Sequence, residues 1–131
     1  MRAVAAHRGS AFGDLNNDGR VDAVVSAIGA PAEILYGTGA SDMHWILLQL
    51  EGKTSNRDGI GTKIKLTGRS GLVQFNHATT AVGYASSSDS RVHFGLGADT
   101  VAREIEFRWP SGKIQVLRDV KADRIVKVTE P

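Results

Sequence analysis

Helical periodicity is nearly absent from this chain, and that constrains its fold more than any other feature. No window of about a dozen residues keeps an apolar stripe at three-four spacing, the mark of a surface helix. Short alternating or β-branched runs recur instead, at fairly even intervals. VDAVVSAI (Val21–Ile28) is apolar and β-branched. HWILLQLEG (His44–Gly52) sets Trp45, Leu47 and Gln49 on one face and Ile46, Leu48 and Leu50 on the other. TKIKLTG (Thr62–Gly68) predicts Ile64 and Leu66 inward, Lys63 and Lys65 outward. LVQFNHA (Leu72–Ala78) follows the turn GRSG. REIEFRW (Arg103–Trp109) alternates best, with Ile105, Phe107 and Trp109 against Glu104, Glu106 and Arg108. After the turn Pro110-Ser-Gly112, KIQVL (Lys113–Leu117) and RIVKVTE (Arg124–Glu130) close the series. The expected fold is all-β: an antiparallel β-sandwich of Greek-key or jelly-roll type, each strand burying one face.

Composition narrows the function classes. The 131 residues suit one domain with a small appendage, and 41% hydrophobic content supplies an ordinary core. A net charge of +2, with both signs interspersed, argues against nucleic-acid partners. The absence of cysteine excludes disulfides, thiolate zinc sites and thiol catalysis. No apolar run reaches the roughly 18 residues of a spanning helix, so membrane insertion is not expected. MRAVAAHRGSAFGD lacks a long apolar stretch, so the chain is expected to carry no signal peptide; an exported parent would carry it upstream. The small-residue stretch Gly37–Asp42 separates residues 1–40 from a strand-rich remainder, 41–131.

The densest chemistry lies in GDLNNDGRVD (Gly13–Asp22). Asp14, Asn16 and Asp18 fall at alternate positions, Gly19 permits a sharp turn, the Arg20 carbonyl follows, and Asp22 closes the set. Calcium, a hard cation, takes about 6–8 oxygen ligands and is served by this pattern. The loop matches the first half of an EF-hand but has Val25 where the closing Glu belongs, and its flanks read as strands. The alternative is a polar hairpin turn, since Asn-Asp-Gly suits left-handed dihedrals. Such a turn needs no third carboxylate, whose repulsion a cation would relieve. Ca²⁺ is therefore the expected cofactor, with Asp14, Asn16, Asp18, Arg20 and Asp22 as its ligands. Magnesium suits an all-protein cage less well.

These residues also carry a resemblance. SAFGDLNNDGRVDAVVS (Ser10–Ser26), with its Phe12-Gly13 pair and acidic loop, resembles an FG-GAP or VCBS-type repeat of integrin-like β-propellers. HWILLQLEG, NRDGIGTKIKL (Asn56–Leu66), GYASSSDSRVHFGLG (Gly83–Gly97) and WPSGKIQVL (Trp109–Leu117) resemble an ASPIC/UnbV domain over roughly residues 44–130. The resemblance implies a secreted, periplasmic or cell-surface parent, similar to cartilage acidic protein, in which calcium-binding repeats precede this domain. The family's biochemical activity is poorly defined. One repeat does not close a propeller, which takes several blades, and one hairpin cannot bury its own face. Either residues 1–40 pack on the sandwich, or the chain is a fragment of a longer protein with upstream propeller repeats.

Other candidates are weaker. Asn56, Arg57 and Asp58 suggest a ligand or sugar loop, against a self-capped turn. Arg91 and His93 share a strand face and suit an anion, against an ordinary structural histidine. The four histidines lack zinc spacing. Ser86–Ser88 lack a nucleophile elbow, and Gly52-Lys53-Thr54 lacks the earlier glycine of a phosphate loop. Glu104 and Glu106 lie on a solvated face. The chain is thus expected not to be an enzyme but a calcium-stabilised extracytoplasmic interaction or adhesion module with a protein or glycan partner. The alternatives are a carbohydrate-binding module, using exposed tryptophan and Asn56–Asp58, and an accessory domain of an enzyme.

Overall fold

A computed structural model describes residues 5–39, 42–81 and 83–131. It is all-β, with no helix among those residues. Ten strands run in order: β1 (Ala6–Gly13), β2 (Asp22–Ile28), β3 (Ala30–Leu35), β4 (His44–Glu51), β5 (Lys63–Gly68), β6 (Val73–His77), β7 (Val92–Gly97), β8 (Val101–Arg108), β9 (Ile114–Lys121) and β10 (Arg124–Thr129).

The chain divides into two compact units: Met1–Gly39 with Thr80–Asp89, and Ala40–Thr79 with Ser90–Pro131. The first unit therefore takes in a segment that the sequence placed in the second domain. Its sheet has the order β1-β2-β3, all antiparallel. Thr80–Asp89 is tied to β1: the Phe12 amide donates to the Ser88 hydroxyl (3.0 Å) and the Asp89 amide to the Phe12 carbonyl (2.9 Å).

The second unit holds two sheets, β10-β4-β7 and β6-β5-β8-β9, in a sandwich-like arrangement. Every pairing is antiparallel except β10 with β4, which is parallel (Arg124↔Ile46 to Thr129↔Glu51). The core joins Ile46, Leu48, Leu50, Val92, Phe94, Leu96 and Val128 of one sheet to Ile64, Leu66, Ala102, Ile105 and Phe107 of the other, with Trp109 just beyond β8. Ile64, Leu66, Ile105, Phe107 and Trp109 are the faces that alternation set apart in β5 and β8; in β4 Leu47 is buried as well as Ile46, Leu48 and Leu50. Burying each large side chain contributes about 1.5–3 kcal/mol. Trp109 is 3% exposed, stacks on Phe107 at 6.4 Å, and donates its indole N–H to Gln115 (3.0 Å). The Gln74 and Asn76 amides of β6 donate to the β7 carbonyls of Gly95 (2.8 Å) and His93 (3.3 Å), which links the two sheets along one edge.

The two units differ in what they bury. Among the described residues, all sixteen buried hydrophobic ones lie in the second. Among the described residues of the first, the buried polar or charged side chains are Asp14 and Asp22, while Phe12, Leu15, Val21, Ile28, Ile34, Tyr36 and Tyr84 are exposed.

Candidate functional site

The acidic loop spans the gap between β1 and β2, whose ladder ends at Gly13↔Asp22. Asn17 and Gly19 both have positive φ (59° and 86°), so the chain coils tightly there; glycine accepts this at little cost. The coil turns successive amides inward. Asp14 accepts from the Asp18 amide through Oδ1 (3.1 Å) and from the Gly19 amide through Oδ2 (2.8 Å). Asn16 Oδ1 accepts from the same Asp18 amide (3.2 Å), so the oxygens of Asp14 and Asn16 converge on one atom. Asp18 Oδ1 accepts from the Arg20 amide (2.8 Å), and its Oδ2 takes the Asn16 side-chain amide (2.7 Å) and the Arg20 guanidinium (2.5 Å). The Arg20 amide, then the Asn16 amide and the guanidinium, outweigh desolvation and lower the Asp18 pKa below its ordinary value.

Asp22 works differently. Its Oδ2 accepts from the Leu15 amide (2.9 Å) and its Oδ1 from the Gly37 amide (2.8 Å), so one carboxylate joins the loop's start to the chain beyond β3. Arg20 Nε adds a bond to the Gly37 carbonyl (2.9 Å). Asp14 is 2% exposed and Asp22 1%. Buried carboxylates are costly unless their oxygens are well partnered.

The sequence-predicted ligands are thus gathered in one loop, in two clusters: Asp14, Asn16 and Asp18 around the Asp18 amide, and Asp22 at the loop's base. Among the described residues, no three His, Cys, Asp or Glu side chains meet closely enough to hold a metal by themselves. The proposed set differs in kind, because a carboxamide and a carbonyl share it. The donors are all hard oxygens, and each carboxylate oxygen has two lone pairs, so accepting an amide does not exhaust it. The residue types fit calcium.

The other candidates are dispersed. Asn56 closes its own turn, accepting from the Ile60 amide (2.9 Å) and donating to the Ile60 carbonyl (2.8 Å). Arg57 and Asp58 are exposed beside it. Gly59 next to them has φ 63°, and a side chain there would press on Leu50, so the turn is fixed by the core beneath it. Arg91 and His93, at the start of β7, are half-buried, and Leu47 of β4 lies opposite His93. His44 bonds Asp123 (2.7 Å).

Sequence reasoning missed Glu130. Its carboxylate has no exposed surface. Oε2 accepts three successive amides, Lys53 (2.7 Å), Thr54 (2.8 Å) and Ser55 (2.8 Å). Oε1 accepts the hydroxyls of Ser55 (2.9 Å) and Ser111. The Lys53-Thr54-Ser55 segment, which follows Gly52, is therefore a nest of amides, as in anion sites, and the chain's own glutamate fills it. Burial alone would raise the Glu130 pKa; the Ser111 hydroxyl, the Ser55 and Lys53 amides and the Ser55 hydroxyl override it and hold the carboxyl far below its ordinary 4.5.

No curated protein matches the chain. The sequence profile described as ASPIC and UnbV matches residues 52–131, more than half of its length, spanning the Glu130 nest, the Asn56 turn and most of the sandwich. On that match, the chain belongs to the ASPIC and UnbV family.

Proposed function

We propose that the chain is a non-catalytic binding module whose N-terminal unit is stabilised by Ca²⁺. The observation that carries this reading is the inverted burial of that unit: its buried charged side chains are Asp14 and Asp22, and its large apolar side chains are exposed. A sheet without an apolar core needs another source of stability. A divalent cation held by Asp14, Asn16, Asp18, Asp22 and the Arg20 carbonyl supplies it by binding the folded loop and not the unfolded chain. The exposed Phe12, Ile28, Ile34 and Tyr36 support a second element of the same reading: an FG-GAP-like repeat that packs against further repeats in a longer, cartilage acidic protein-like parent. Such a parent is extracytoplasmic, where free calcium is abundant, and presents the sandwich to a protein or glycan.

Thermal unfolding with calcium and with a chelator, on the chain and on Asp18→Ala, tests the cation. Saturation at about a hundred times Kd adds about 2.7 kcal/mol to the stability of the unit that binds it. A calcium-dependent rise in Tm that Asp18→Ala abolishes supports the reading; no shift in either protein reduces the loop to a turn.

A further inference from the structure

We propose that the outer face of the β6-β5-β8-β9 sheet binds an acidic saccharide, a short oligosaccharide of uronic acids. The sequence presents Lys63 and Lys65 as an ordinary solvated strand face; strand register gives them company. Lys63 lies opposite His77 of β6 and Arg108 of β8, and Lys65 opposite Phe75 and Glu106. Neighbouring strands stand about 4.8 Å apart, so these side chains form two adjoining rows on one surface. They line a concavity of about 430 Å³, the size of a small-ligand site.

The charge in it is unbalanced. Glu106 is the one carboxylate of the lining, and it is engaged by Arg108 Nε at 2.7 Å. Neither Lys63 nor Lys65 has an ion pair among the described residues. Like charges placed opposite each other, as Lys63 and Arg108 are, destabilise a sheet unless an anion joins them. Beside them Phe75 is 76% exposed, so its ring face is open to a ligand. A ring face with negative quadrupole accepts the weakly positive C–H face of a sugar ring. The adjacent cations then take the sugar's carboxylate, and the His77 side chain offers a hydrogen bond to a hydroxyl. A nucleic acid would need a longer track of cations. An acidic peptide would satisfy the lysines and leave Phe75 unused.

This inference deepens the binding-module reading by naming a ligand class. It uses residues of the second unit alone, so its fate is separable from that of the calcium loop. The test is amide NMR titration of the whole chain, with calcium and again with a chelator, using trimers of galacturonate, mannuronate and glucuronate. Maltotriose and a tri-aspartate peptide serve as controls. The expected result is saturable shifts confined to β5, β6 and β8 with at least one uronate trimer, weakened by salt. Phe75→Ala and the double variant Lys63→Ala/Lys65→Ala should each weaken binding about tenfold. Both alter exposed side chains, and an unchanged spectrum elsewhere certifies their folds. Shifts with none of the trimers, shifts elsewhere on the chain, or equal binding of tri-aspartate that ignores Phe75→Ala would overturn the proposal.

Discussion

Replacing Asp22 by alanine isolates what holds the N-terminal unit together without metal. The carboxylate is 1% exposed and accepts two backbone amides, Leu15 at 2.9 Å and Gly37 at 2.8 Å. Alanine leaves both donors without their acceptor. Each stranded, largely buried N–H costs about 1–3 kcal/mol, which puts the loss at about 2–6 kcal/mol if water reaches neither. The two amides are only part-buried, so the lower half of that range is expected. With no buried hydrophobic residue among the unit's described residues, a loss of this size should open it locally and leave the sandwich folded. Hydrogen exchange in a chelator reads this site by site. At about 1.4 kcal/mol per factor of ten, exchange at Leu15 and Gly37 should accelerate roughly 30-fold or more, while Leu48 and Ile105 amides stay protected. Asp22→Asn keeps one good acceptor and should fall between. Unchanged protection at Leu15 and Gly37 in Asp22→Ala would refute the argument that this carboxylate organises the unit.

Two further outcomes follow from the sandwich. The folded state depresses the Glu130 pKa, so its carboxylate stabilises fully above the ordinary value of 4.5 and that contribution is lost as pH falls below it. Urea unfolding from pH 7 down to acid should therefore show a steeper decline for the natural chain than for Glu130→Gln, which should be the less stable of the two at pH 7; parallel curves would contradict a stabilising role for the Glu130 carboxylate. The buried Thr62 hydroxyl meets no hydrogen-bond partner among the described residues. Thr62→Val removes that unmet group at nearly constant shape and should raise stability by about 1 kcal/mol in urea unfolding; a loss would reveal a partner for the hydroxyl.

Alternation makes legible the strands that bury one face. In β5 and β8 apolar residues alternate because the core accepts only every second side chain, whereas β4 is legible as an apolar run in which Ile46, Leu47 and Leu48 are all buried. β1 and β3 gave no such signal: AHRGSAFG and APAEIL sit in a unit that buries carboxylates rather than alternating hydrophobes. The parallel pairing of β10 with β4 was not readable either, since alternation fixes which face is buried but not which strand lies alongside. Long separation hid Glu130 as well, whose nest lies 75 residues or more away in sequence. The oxygen-rich loop was visible because its residues are local. The cationic face was not, because Phe75, Lys63 and Arg108 meet only through register.

The most direct measurement is a calcium titration followed through the backbone amides of Leu15, Asp18, Gly19 and Arg20. The account predicts saturable shifts at these four amides with one ion per chain, absent in Asp18→Ala and unaffected by the variants of the outer sheet face. Amides that do not move at millimolar calcium, or that move only outside residues 14–22, would contradict it.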